Sequence, residues 1–184
     1  MPMRKTKDVR LALSRAEIEA KLAGASLRDR ALVKLMFLTG ARVSELVELR
    51  PEDLRVEGDY LVVELPTRKN PDVPVRAIPI SLDDPWLDDV LAWLKKVRRK
   101  GWRWLFPGKS KDKHITDRAV RKIIARLGLG WPHRLRHSRL TELARMGATD
   151  QELVRWAGWS DSRPAQFYVH LRWEDLKRIA SSRP

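Results

Sequence analysis

The sequence predicts an α+β domain, mainly α-helical, with one small three-stranded antiparallel sheet set among the helices. Three observations predict it. Most of the chain carries apolar residues at helical spacing between recognisable caps; residues 54–80 switch to short alternating β-prone runs; and 184 residues suffice for one core without a single cysteine.

In chain order, "SRAEIEAKLAG" pairs Ser14 with Glu17 three residues on, a capping box, and ends at Gly24, so a short helix is expected. "SLRDRALVKLMFLTG" spaces Leu27, Ala31, Lys34, Leu35 and Leu38 for a helix apolar on most sides, stopping at Gly40. "ARVSELVELRPEDL" turns into a further short helix, with Ser44 as its expected cap and Pro51 as its terminator. From Leu54 to Ile80, "LRVEGDYLVVELP" holds a Gly58-Asp59 turn and "VRAIPI" gives a third strand; the polar "TRKNPDVP" joins the last two. Asp84 to Lys100 reads as a helix with acids at its start and lysines and arginines at its end, matching the macrodipole. Helices are then expected over residues 116–127, 134–146 and 150–157, around 164–169, and over 173–180, with "FPGKSKDKH" as a basic loop.

The formal charge of +14 and pI near 10.6 predict a positive field that attracts a polyanion, nucleic acid first. An anionic membrane surface comes second, since no stretch approaches the length of a spanning helix and "MPMRKTKDVR" lacks the apolar run of a signal peptide. An intracellular protein is expected. Absence of cysteine excludes disulfides, thiolate catalysis and cysteine-type zinc sites. One asparagine and two glutamines among many charged residues point to a thermophilic source.

Four places could carry chemistry. "TGARVSEL" sets Arg42 just after a glycine turn at a helix start, where a guanidinium fork and backbone amides can meet a phosphate; a solvated arginine is the plainer reading. In "HRLRHS", His133 and Arg136 lie three apart and share a helical face, one able to hold a proton near neutrality and the other a fixed charge. His137 faces elsewhere and reads as structural. In "AGWSDSRPAQFYVHL", Trp159 offers only an indole N–H, whereas Tyr168 can donate or attack. Lys69 is the one lysine of the sheet region, on its polar turn; a charged hairpin tip is ordinarily just solvated.

Taken in order, Arg42, Lys69, His133, Arg136, Trp159 and Tyr168 resemble the tyrosine recombinase, or phage integrase, family, including its Xer-type members, whose pattern is Arg, Lys, His-x-x-Arg, His or Trp, then Tyr. "TGARVSEL", "HRLRH" and "GWSD" match in context, and the resemblance runs from about Ser14 to Ala180. It implies the catalytic-domain fold of that family over residues 14–184, after a basic arm at 1–13. A separate core-binding domain has no counterpart here, so the chain reads as a minimal recombinase, an excised domain or a fragment. Trp159 stands where many relatives have histidine, which keeps a donor and removes acid-base capacity. Lys69 competes with Arg68 and Arg76 of the same hairpin, and among them only the lysine has a dissociable proton at a useful pKa.

The resemblance implies site-specific recombination of double-stranded DNA through a 3′-phosphotyrosine, without cofactor or metal. Arg42 and Arg136 would clamp the non-bridging oxygens, Tyr168 would attack phosphorus, His133 would accept its proton, Lys69 would protonate the leaving 5′ oxygen, and Trp159 would hydrogen-bond an oxygen or buttress Tyr168. Glu45 resembles the family's acidic supporting position; an ordinary surface ion pair is its plainer reading. Arg68, Lys109, Lys111, Lys113, Arg134 and Arg139 are the expected DNA contacts. The same reading expects a tetramer on DNA at the cytoplasmic nucleoid, and leaves open whether Tyr168 serves its own site or a neighbour's. Two alternatives remain: type IB topoisomerase-like relaxation, and a silent DNA-binding regulator. The pairs Asp83-Asp84 and Asp88-Asp89 lack a partner histidine motif and read as a dipole-matched helix start rather than a metal site.

Overall fold

The computed structural model describes residues 11–66, 75–168 and 177. The N-terminal arm, the turn holding Arg68 and Lys69, and the expected helix over 173–180, apart from residue 177, lie outside the described residues.

Seven helices and three strands follow one another as α1 (Arg15–Lys21), α2 (Leu27–Thr39), α3 (Val43–Val47), β1 (Leu54–Glu57), β2 (Tyr60–Pro66), β3 (Val75–Ser81), α4 (Leu87–Lys100), α5 (Asp117–Arg126), α6 (Pro132–Met146) and α7 (Asp150–Ala157) among the described residues. A further helical stretch covers 163–168. This is the expected mainly helical α+β class.

Helix α2 is the central element. It is buried from Ala31 through Thr39 and packs on α4 and α6, as its nearly all-round apolar sequence requires. Its one buried lysine, Lys34, is held by Asp89 at 2.7 Å and Glu19 at 3.1 Å. The Ser14–Glu17 capping box forms, and Gly40 ends α2 in the left-handed region at φ 64°.

The sheet runs β1-β2-β3, antiparallel throughout, with Leu61 opposite Ile80 and Val63 opposite Ile78. In β3 burial alternates residue by residue, so Arg76, Ile78 and Ile80 all point inward. An arginine at one end of an otherwise aliphatic inner face must find partners inside the protein.

Three boundaries differ from the expected ones. Helix α4 begins at Leu87 rather than Asp84, because Pro85 disfavours a helical Asp84. The Asp84 carboxylate instead accepts from the Trp86 amide and from Arg15. Helix α6 begins at Pro132, two residues early, since proline is pre-set for the first helical position. Ser44 is not the cap of α3: Arg42 occupies that position and Ser44 lies inside the helix.

A main core spans α1 to α6, and a smaller cluster gathers Leu140, Ala144, Leu153, Ala157, Ala165 and Tyr168 between α6, α7 and the 163–168 helix. Tyr168 is thus a core residue of a satellite cluster, 1% exposed. No helix among the described residues is long and apolar enough to cross a membrane.

Candidate active site

The site forms where the C-terminal ends of α2 and α7 meet α6. Arg136 lies on the inner face of α6, 2% exposed, and donates to the carbonyls of Gly40 and Ala157, each at 2.6 Å. Those carbonyls belong to helix ends, where orphan acceptors and the negative pole of the macrodipole both favour a cation. One guanidinium therefore ties the loop carrying Arg42 to the loop carrying Trp159. Burial, reinforced by the nearby charges of Arg42 and Arg76, lowers the Arg136 pKa to about 9.

Glu45 is the hub. One turn into α3 and 2% exposed, it accepts from the Arg42 amide at 2.7 Å and from Arg42 Nη1 at 3.0 Å. The same carboxylate accepts from Arg76 Nη1 at 2.6 Å and Nη2 at 3.1 Å. Burial alone would raise its pKa, but the hydrogen bonds and charge of Arg76, with help from Arg42, hold it below the ordinary carboxylate value. The surface ion pair of the plainer reading is not what forms. Arg76 completes its bonding through Nε to the Trp156 carbonyl at 3.0 Å.

Arg42 keeps part of its fork exposed, and with His133 it lines a cleft of about 290 Å³ whose rim includes Ser44, Asp117 and Arg121. His133 is exposed in the first turn of α6. This brings the first arginine and the histidine of the motif to one opening.

Tyr168 packs beside Trp159. The two rings stack with centroids 6.0 Å apart, and the Arg136 guanidinium carbon lies 5.8 Å from the Trp159 ring centre, so the indole packs against both arginine and tyrosine. The Tyr168 hydroxyl is hydrogen-bonded to His137 Nδ1 at 2.9 Å. Burial pushes its pKa up to about 12, and the charge of Arg136 offsets only part of that.

Several expectations need correction. His137, read as structural and facing elsewhere, is the histidine at the tyrosine hydroxyl; His133, the expected proton acceptor, is at the Arg42 cleft instead. Arg139, expected on the surface as a DNA contact, is instead 7% exposed, paired with Glu142 and packed over the Trp156 ring, because it repeats on the inner face one turn after Arg136. Lys109, Lys111 and Lys113 are exposed. Lys109 and Lys113 line a separate cleft of about 630 Å³ with Arg28 and Lys122, against the face of α5 bearing Ala119 and Ile123 rather than that of Asp117 and Arg121. Arg134 donates to the Leu11 carbonyl at 2.7 Å and remains partly exposed. Lys69 and Arg68 lie outside the described residues.

Arg76, weighed only as a rival to Lys69, and His137, read as structural, are the residues whose place sequence reasoning missed, although both carry a signal. Arg76 is in phase with Ile78 and Ile80 at strand period; His137 is in phase with Leu140, Thr141 and Ala144 at helical period. Among the described residues, no group of three or more histidine, aspartate or glutamate side chains is placed to hold a metal ion.

Comparisons with known proteins follow the same lines. The phage integrase family profile matches residues 6–174. The tyrosine recombinase XerD of Rhizobium meliloti is 30% identical over 189 residues, covering 95% of this chain and 58% of that protein. XerD of Lacticaseibacillus casei is 31% identical over 190 residues, covering 96% and 64%. The chain thus spans less than two thirds of the length of these relatives. Among solved structures, a XerH site-specific recombinase bound to palindromic difH substrate in a post-cleavage complex superposes with a TM-score of 0.71 at 21% identity, covering 92% of this chain and 52% of that one. The XerA recombinase gives 0.70 at 19% identity, covering 100% and 68%. These two share the fold. With the profile spanning nearly every residue from the arm to past Tyr168, the chain belongs to the phage integrase family.

Proposed function

We propose that residues 14–184 form the catalytic domain of a site-specific DNA recombinase that cleaves and rejoins strands through a 3′-phosphotyrosine, acting on double-stranded DNA at the cytoplasmic nucleoid as a tetramer. The single observation that carries this reading is the convergence of Arg42, Arg136, Trp159 and Tyr168 from three parts of the chain: Glu45 holds Arg42, Arg136 ties two helix ends together, and Trp159 packs against both Arg136 and Tyr168.

A phosphodiester repels nucleophiles and has a poor leaving group, so its non-bridging oxygens must be neutralised and its leaving oxygen protonated. Arg42, partly exposed in the cleft, would take the first task, and the buried Arg136 would add a second positive charge nearby. The Tyr168 oxygen forms the new bond to phosphorus as the bond to the 5′ oxygen breaks; the tyrosine proton passes to a base and the 5′ oxygen receives one from Lys69. The bond energy stays in the phosphotyrosine, so the 5′ hydroxyl of a partner strand can reverse the step without hydrolysis.

Tyr168 must leave His137 to reach a phosphate beside Arg42. His133 is exposed at that cleft and takes the proton only after this movement. Because Tyr168 packs on Trp159 of its own chain, delivery to its own site is favoured.

The test is trapping of a covalent adduct on nicked suicide duplexes with randomised sequence around the nick. Wild-type protein is expected to form an adduct that resists denaturant; Tyr168→Phe is expected to form none while still binding duplex DNA. An adduct of normal yield in Tyr168→Phe would refute the assignment.

A further inference from the structure

We propose that Arg76 is a positioning residue that keeps Arg42 available for phosphate by occupying Glu45. This rests on the reading of Arg42 as a phosphate clamp.

Two guanidiniums, those of Arg42 and Arg76, bond the Glu45 carboxylate, and each Glu45 oxygen serves both residues. Exposure divides the two sharply: the Arg76 side chain is 5% exposed, that of Arg42 27%. Arg76 is thus sequestered from any ligand, whereas Arg42 opens on the cleft. With Arg76 making the paired contact, Arg42 contributes only one side-chain nitrogen to the carboxylate, and the rest of its fork is uncommitted there. Without Arg76, a buried carboxylate would be left short of a cation, and Arg42 is the neighbour able to close a bidentate pair with it. The fork that should meet phosphate would then turn inward.

The setting of Arg76 fits that role. Nε holds the Trp156 carbonyl at 3.0 Å, one residue before the carbonyl that Arg136 holds, so two arginines grip consecutive acceptors at the end of α7. Gly158 follows with φ 64°, and a Cβ there would lie 3.1 Å from Arg76 Cδ and Nη1. Strand β3 delivers the arginine inward beside Ile78, and the glycine turn makes room for it.

The test reads phosphate binding directly. Inorganic phosphate is titrated into the folded protein and followed through the Arg42 Nε–H resonance in nitrogen-15 spectra. Arg76→Met is expected to weaken the phosphate-dependent shift about fivefold or more, whereas Arg76→Lys, which keeps the charge but not the paired contact, falls between Arg76→Met and wild type. The double variant Arg76→Met/Glu45→Gln, which removes the carboxylate that would capture Arg42, is expected to regain most of the lost affinity. A merely structural loss would not be repaired by a second substitution in the same buried pair. Should Arg76→Met fail to fold, Arg76→Gln replaces it in both arms. Phosphate binding in Arg76→Met equal to wild type, or a double variant as weak as the single, overturns the proposal. A wild-type chain that binds phosphate at Arg42 but forms no DNA adduct would sink the proposed recombinase function and leave this inference standing.

Discussion

The hydroxyl of Tyr168 lies 2.9 Å from Nδ1 of His137, in a pocket where only 1% of the tyrosine is exposed. The residue with the nucleophile's place in the family pattern is therefore stored as a core side chain, protonated and hydrogen-bonded. Burial raises its pKa to about 12 in the folded protein, against about 10 for a free tyrosine. The sign follows: the unfolded chain ionises first, so the stability Tyr168 contributes through its neutral hydroxyl is complete below about pH 10 and is lost as pH climbs to about 12. In a Tyr60→Phe background, phenolate absorbance should report one transition near pH 12. A midpoint at the free-tyrosine value would show the hydroxyl to be solvated.

His137→Leu removes one hydrogen bond of that hydroxyl without opening much space. Loss of one buried hydrogen bond costs about 0.5–1.5 kcal/mol, so the urea midpoint should fall accordingly with an unchanged slope. The companion change Tyr168→Phe, also made in the His137→Leu background, should cost less there than in the wild type, because the two share one interaction. Additive losses would mean that the contact contributes nothing.

Gly158→Ala tests the packing of Arg76. The position is left-handed at φ 64°, and the added carbon would meet Arg76 at 3.1 Å; Gly24, at φ 76°, has no atom within 4 Å of a built Cβ. Both substitutions carry the backbone penalty, about 1–2 kcal/mol. Only Gly158→Ala also displaces the arginine. Its adduct yield should fall about tenfold, that of Gly24→Ala hardly at all, when both are assayed well below their melting temperatures. Equal yields would show that Arg76 tolerates displacement.

Much of this architecture is legible in the sequence, for identifiable physical reasons. Helix α2 announces itself because its apolar residues go nearly all round, and the sheet because its period is two. The order Arg42, His133, Arg136, Trp159, Tyr168 is readable since each residue has a fixed chemical type. What escapes is which way a charged side chain turns. Arg76 and Arg139 look like surface cations by composition, yet the aliphatic phase of their elements takes both inside. His133 and His137 are one helical turn apart, and chemistry alone cannot rank them; only the fold places one at the cleft and the other at Tyr168. Glu45 likewise reads as an exposed partner of Arg42 until the sheet brings Arg76 across from 31 positions away in sequence.

The basic residues should separate accordingly in DNA binding. Each phosphate contact contributes to the dependence of affinity on salt, so replacing a contacting cation lowers the slope of log K against log salt by about one. Arg121, exposed on the rim of the Arg42 cleft, is expected to do so as Arg121→Ala. Arg139→Met is expected to leave the slope unchanged, because that guanidinium is turned into the protein against Glu142 and Trp156. Its effect should appear in stability instead. Burial already lowers the Arg139 pKa, and its Nε has no hydrogen-bond partner, so the desolvated charge is incompletely compensated. Because Glu142 keeps Arg15 as a partner, removing Arg139 does not leave a buried carboxylate unpaired, and a flexible apolar side chain of similar length can fill the space at little cost. A melting temperature held or raised, with the salt slope intact, is the expected result for Arg139→Met; a slope reduced as in Arg121→Ala would place Arg139 on the DNA after all.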